Sequence, residues 1–277
     1  MAPRPPREEP PPPRLRPLRL AALGGGVVAA GVVAALILAS REGPVVAERV
    51  APVPTVFADE GKPLLGVVLV GGDSLAALRS LALLRMPHAV ALGVDDGFEA
   101  RKAEAIVRRG GGEVLLDVGT VEEGLGEAIN PLLPGLHRAE ALRRLRWQLA
   151  NLEAPAGVLL DGPPELRRDA ETMRAVAEWL KPEGLTLVAG EPISGDAAGA
   201  VGRRLGVPTG DLAGQATAGV GVQTVLDLGA SHAAAWGHAL VAIPATEEGI
   251  AALRSWERPG YVTLAPPSAV AARLRRE

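Results

Sequence analysis

The chain has 277 residues, no cysteine, few aromatics and a formal charge of −3, and its first nineteen residues carry five Arg against two Glu. The remainder is therefore distinctly acidic, which disfavours nucleic acid as a partner because phosphate neutralisation needs a basic surface. Without cysteine there is neither a disulfide nor a thiolate-held metal. Residues 1–19 are rich in Pro and Arg and read as an extended, disordered tail. Leu20 to Ser40 follows without a single charge, bounded by Arg19 and Arg41. At about 1.5 Å rise per residue, a helix there matches the roughly 30 Å hydrocarbon core of a bilayer. Arg4, Arg7, Arg14, Arg16 and Arg19 outnumber Glu8 and Glu9 ahead of it, so the positive-inside rule keeps the tail cytoplasmic and exports the rest. A cleaved signal peptide is the alternative, disfavoured by the length of the apolar run. Residues 41–63, punctuated by Pro44, Pro52, Pro54 and Pro63, read as a tether.

From Leu64 short apolar runs alternate with longer amphipathic ones. Strands are predicted over 64–70, 89–94, 113–118, 157–160, 186–189, 239–243 and 261–264. Helices are predicted over 74–84, 98–109, 139–151, 169–180, 196–205, 224–236 and 246–256, the first capped by Asp73 or Ser74. Strand-then-helix repetition implies parallel strands joined by right-handed crossovers, in a barrel or in an open sheet. In both, chemistry gathers at the C-terminal strand ends.

A series of segments then becomes recognisable: LLGVVLVGGDS at Leu64–Ser74, GGEVLLDVG at Gly111–Gly119, NPLLPGL at Asn130–Leu136 and LRRLRWQLANLEAPAGV at Leu142–Val158. DAETMRAVAEWL at Asp169–Leu180, LGVP at Leu205–Pro208 and GHALVAIP at Gly237–Pro244 complete it. The order resembles the divergent polysaccharide deacetylase family over about residues 64–265. The resemblance implies an irregular parallel β/α barrel of the glycoside hydrolase/deacetylase type over 64–277, preceded here by the single transmembrane helix at 20–40. It also implies carbohydrate deacetylase chemistry in the wider group: a divalent metal, zinc, held by one carboxylate and two imidazoles, polarises an acetamide and activates water.

This sequence departs from that pattern at four places. Gly71-Gly72 precedes Asp73 where paired aspartates would stand, and Gly112 replaces an imidazole before Glu113. Leu159-Leu160-Asp161 follows Val158 in place of an Asn-His pair, and Ile243 stands where Gly-His-Pro would put its histidine. Four losses at the mouth of a barrel suggest a pseudoenzyme without metal. The low-ranked catalytic candidates are Asp73 and Asp161, and the candidate ligands for any metal are Asp73, Asp117 and Asp161, converging as an oxygen-only site.

The other chemistry-bearing residues are read blandly. His88 lies at the strand end away from the mouth, His137 starts a helix, and His232 and His238 are six apart where ligand pairs on a helix favour three or four. Asp95-Asp96-Gly97 reads as a strand-to-helix turn. Gly71-Gly72-Asp73 lacks the fingerprint of a nucleotide loop. Trp147, Trp179, Trp236 and Trp256 lie in amphipathic helices and are expected to pack in the core. The sequence thus predicts an anchored, periplasm-facing domain of a bacterial inner membrane, with an envelope polysaccharide or envelope protein as partner and no cofactor. The alternative is an active metal-dependent deacetylase with a rearranged Asp-rich site.

Overall fold

Seven parallel strands close into a ring: β1 (Leu64–Val70), β2 (Ala89–Leu92), β3 (Glu113–Asp117), β4 (Gly157–Leu160), β5 (Thr186–Ala189), β6 (Thr209–Gln215) and β7 (His238–Pro244), with β7 returning to β1. The computed structural model describes residues 61–72, 74–94, 97–118, 131–217 and 219–274. The predicted tail, span and most of the tether lie outside them, and no described helix is long and apolar enough to cross a membrane.

Alternation within each strand builds two apolar layers. Val68, Ala91, Leu115, Leu159, Val188 and Ala242 share the core enclosed by the ring. The intervening residues, such as Leu69, Leu92, Leu116, Leu160 and Ile243, pack outward against the helices. Those helices are α1 (Leu75–Ala82), α2 (Gly97–Arg109), α3 (Arg138–Leu149), α4 (Pro164–Arg168), α5 (Ala170–Leu180), α6 (Ala198–Leu205), α7 (Val222–Trp236), α8 (Glu247–Ser255) and α9 (Pro267–Leu274). Ser74 caps α1, its hydroxyl accepting from the Ala77 amide, which selects between the two caps that the sequence offered.

The ring is irregular at one seam. One edge of β1 pairs with β7 along its whole length, from Leu64↔His238 to Val70↔Pro244. The other edge is shared. Its upper part pairs with β2 at Val68↔Ala89 and Leu69↔Val90. Its lower end pairs with β8 (Thr263–Leu264) at Leu64↔Thr263 and Leu65↔Leu264. The strand predicted at 261–264 is therefore a wedge at the lower rim rather than a stave of the ring. The missing stave is β6, TGDLAGQ, whose Gly210, Asp211 and Gly214 break the apolar run that would have revealed it.

After the wedge, α9 packs on β1, β5, β6 and β7 and adds Val270 to the enclosed core. It plugs the lower end, where the Glu113 carboxylate at the start of β3 accepts from the Ser268 amide at 3.0 Å and from the Ser268 hydroxyl. The C-terminal strand ends form the opposite rim.

Candidate functional site

At the C-terminal rim β4 stops at Leu160, and Asp161 is the next residue on the inward-facing series of Gly157 and Leu159. The chain then turns through Pro163, whose fixed φ suits the start of a helix, into the single turn and a half of α4. That short helix places Arg167 beneath the rim, 5% exposed. Its guanidinium lies 3.7 Å from Asp161 Oδ1 and is ion-paired with Asp196, which comes from the segment leading into α6. It also donates to the Glu191 carbonyl beyond β5. The other carboxylate oxygen of Asp196 accepts from the Ala198 amide at 3.0 Å, and the Ala197 amide donates to the Arg167 carbonyl at 2.8 Å. One buried cation thereby ties together the exits of β4 and β5 and the entry to α6.

The carboxylate of Asp161 fits only because of its neighbour. A β-carbon on Gly190 would stand 2.0 Å from Asp161 Oδ1 and 2.9 Å from Arg167 Nη1. Glycine at 190 is the space in which the ion pair sits.

Asp117 ends β3 with its backbone level with Leu159 of β4. It shares the inward-facing parity of Leu115 and is half-buried. Asp161 stands two residues further along the neighbouring strand, so the two Cα atoms are roughly 8 Å apart from strand spacing and rise. Asp73, Asp95 and Asp96 lie outside the described residues. Among the described residues no group of three His, Asp or Glu side chains could hold a metal ion.

Of the four departures from the metal pattern, the structure brings only part to the mouth. Gly71 and Gly72 follow β1 there, and Leu159 points into the enclosed core. Leu160 and Ile243 instead face the helices. Gly112 precedes β3, at the plugged end, where the buried His88 imidazole covers it: a β-carbon on Gly112 would meet His88 Nε2 at 2.3 Å. Three of these positions therefore say nothing about ligands at the rim. Strand parity and strand direction, which a linear motif does not carry, decide this.

The histidines lie where the sequence put them. His88 is bonded through Nδ1 to the Met86 carbonyl at 2.7 Å, and burial holds its pKa below the usual value despite that bond. His137 caps α3, His232 lies on α7 and His238 opens β7. The tryptophans divide. Trp256 is buried with its Nε1 donating to Asp227 at 2.9 Å, and Trp179 packs against the outer core. Trp147 is partly exposed, whereas Trp236 is 70% exposed, contrary to the expectation of core packing. It is the last residue of α7, before Gly237 turns the chain left-handed, so it leaves the apolar stripe of the helix. Sequence reasoning missed Arg167 and Asp196 because an Arg-rich turn reads as a solvated face and its partners lie up to 29 residues away.

The ring of parallel strands surrounded by helices makes this an α/β barrel. No family model and no curated protein matches the chain. Among solved structures, an uncharacterized protein from Agrobacterium tumefaciens C58 has the same fold, with a TM-score of 0.64 at 19% identity over 75% of this chain and 89% of that one. The lactam utilization protein from Thermus thermophilus superposes with a TM-score of 0.44 at 17% identity, covering 77% of this chain and 94% of its own. At these identities the first likeness is one of fold, and the second carries no argument.

Proposed function

We propose that this chain is a membrane-anchored, envelope-facing relative of the polysaccharide deacetylases that has lost metal catalysis and acts by binding an envelope glycan or envelope protein. The α/β barrel supports the fold that the resemblance implies. The observation that carries the loss of catalysis is the engagement of Asp161 by Arg167. A cation held by a carboxylate oxygen sits about 2 Å from it, and so within roughly 6 Å of that guanidinium. The buried positive charge repels a divalent ion held there. Zinc sites use about three protein ligands; of the three candidates, Asp117 and Asp161 are described, and Asp161 faces a guanidinium at 3.7 Å.

The second reading, an active deacetylase with a rearranged acidic site, draws support from Asp117 facing inward at the mouth. One experiment separates the two. The full chain is purified in detergent, its zinc is measured by elemental analysis, and acetate release from acetylated chitooligosaccharides is followed. Well under one zinc per chain and no acetate above a protein-free blank are expected. Stoichiometric zinc, with turnover abolished by Asp73→Ala or Asp117→Ala, would overturn the proposal.

A further inference from the structure

A cleft of about 360 Å³ opens beside β6 and the start of β7, lined also by the segment after β5 and by Leu274 at the end of α9. In the surrounding layer α5 packs on α6, α7 on α8 and α8 on α1. The cleft lies between α6, which contributes Arg203, and α7, which contributes His232 and Trp236 one helical turn apart on the same face. Its volume falls in the range of small-ligand pockets.

The polar side of the cleft is built, not incidental. Asp211 projects from β6, and its Oδ2 accepts from Arg203 Nη1 at 2.7 Å. The carboxylate reaches that position because α6 carries glycine at 199: a β-carbon there would lie 2.1 Å from Asp211 Oδ1. The pair stays open to solvent, with Arg203 46% and Asp211 29% exposed. It therefore offers fixed donors and acceptors beside the exposed indole of Trp236. Glu191 and Pro192 form a further part of the lining.

These features restrict the ligand. The lining carries two carboxylate residues, Glu191 and Asp211, two imidazoles, His232 and His238, and one guanidinium that is already paired with Asp211, so an anionic ligand finds no free guanidinium to receive it. A purely apolar ligand would desolvate the Arg203–Asp211 pair without replacing its hydrogen bonds. A ligand with a flat apolar face and hydroxyl groups around its edge satisfies both halves: the face covers the indole, and the hydroxyls exchange hydrogen bonds with the charged pair. We infer that the cleft between α6 and α7 binds an oligosaccharide without anionic groups, stacked on Trp236 and held by Asp211 and Arg203. This deepens the glycan-binding reading by giving it a place, and rests on that reading only for the origin of the sugar.

Isothermal titration calorimetry of the full chain with chitotetraose tests the inference, with tetragalacturonic acid as the anionic counterpart. Binding of chitotetraose is expected, with Trp236→Ala weakening it about ten-fold or more. Asp211→Asn, which keeps the indole, is expected to weaken it as well, and the anionic tetramer gives no saturable heat. Trp236 is exposed, so the Trp236→Ala variant folds and a negative result is informative. Absence of chitotetraose binding overturns the inference, leaving the non-catalytic reading to the zinc and acetate measurements. Binding that survives Trp236→Ala but is lost in Asp117→Ala places the sugar at the mouth and overturns the cleft site while keeping the glycan-binding reading. Equal affinity for the anionic tetramer overturns the assigned ligand class.

Discussion

Replacing Arg167 by methionine keeps most of the side-chain length and removes the charge that holds the mouth together. Arg167 is 5% exposed, and its partners Asp161 and Asp196 are 21% and 13% exposed. Without the guanidinium, two largely buried carboxylates lose their counter-charge and the Glu191 carbonyl loses a donor. Deleting one partner of a buried ion pair costs about 3–5 kcal/mol, because the other charge stays desolvated and uncompensated. For a domain of this size each kcal/mol lowers Tm by about 2–4 °C, so a fall of roughly 6–20 °C is expected. Urea unfolding followed by circular dichroism checks the value, with an unchanged slope showing that the same surface is exposed on unfolding. Adding Asp196→Asn to the methionine variant should recover part of the loss, since one orphaned charge is removed with the cation. A loss below about 1 kcal/mol would refute the reasoning, placing Arg167 among solvated surface pairs.

Further outcomes follow from other groups. Burial raises the pKa of Glu113 despite its bonds to Ser268, so the native state holds this proton to higher pH than the unfolded chain does. Stability from this site is greatest below pH 4.5 and falls as pH rises through the folded value. Glu113→Gln should flatten that slope in urea midpoints measured from about pH 4 to 8, and parallel profiles would count against it. Asp169 has the opposite sign: partial burial works to raise its pKa, but hydrogen bonds from the Gly135 amide, Thr172 and Glu171 lower it overall. Its contribution is present above pH 3.8 and lost as pH falls through the lowered value. Asp169→Ala should cost about 1–2 kcal/mol at neutral pH by chemical denaturation. Deletion of residues 1–40 should move the chain from the membrane pellet to the supernatant on fractionation; continued sedimentation with membranes would remove the support for an anchor at 20–40.

Strands whose residues are apolar throughout were legible in the sequence, because a stave buried on both faces must read as an uninterrupted run. β1, β4 and β5 begin and end where the text predicts. β6 was hidden by its function as a packing surface: Gly210 makes room for Leu240, and Gly214 for Leu228 of α7. A shift in pairing between Leu212 and Gly214 further breaks its alternation, so that Gln215 pairs with Ala242 on the inward series. The inward-facing ends of β3 and β4 were legible as Asp117 and Asp161. Their fate was not, since Arg167 and Asp196 reach Asp161 only through the fold. Trp236 shows the same limit from the other side, because a helical pattern does not reveal that the last residue swings out of the stripe.

The seam at β1 has a consequence for how the chain matures. The first stave to be synthesised is flanked by β7 along one edge and by β8 on part of the other. Apart from the short pairing with β2, the hydrogen-bond partners of β1 are therefore still unmade while most of the polypeptide emerges, and such long-range pairings are slow to form. A chain still on the ribosome cannot close the ring ahead of time. Closure waits for β7, which begins only at residue 238 of 277.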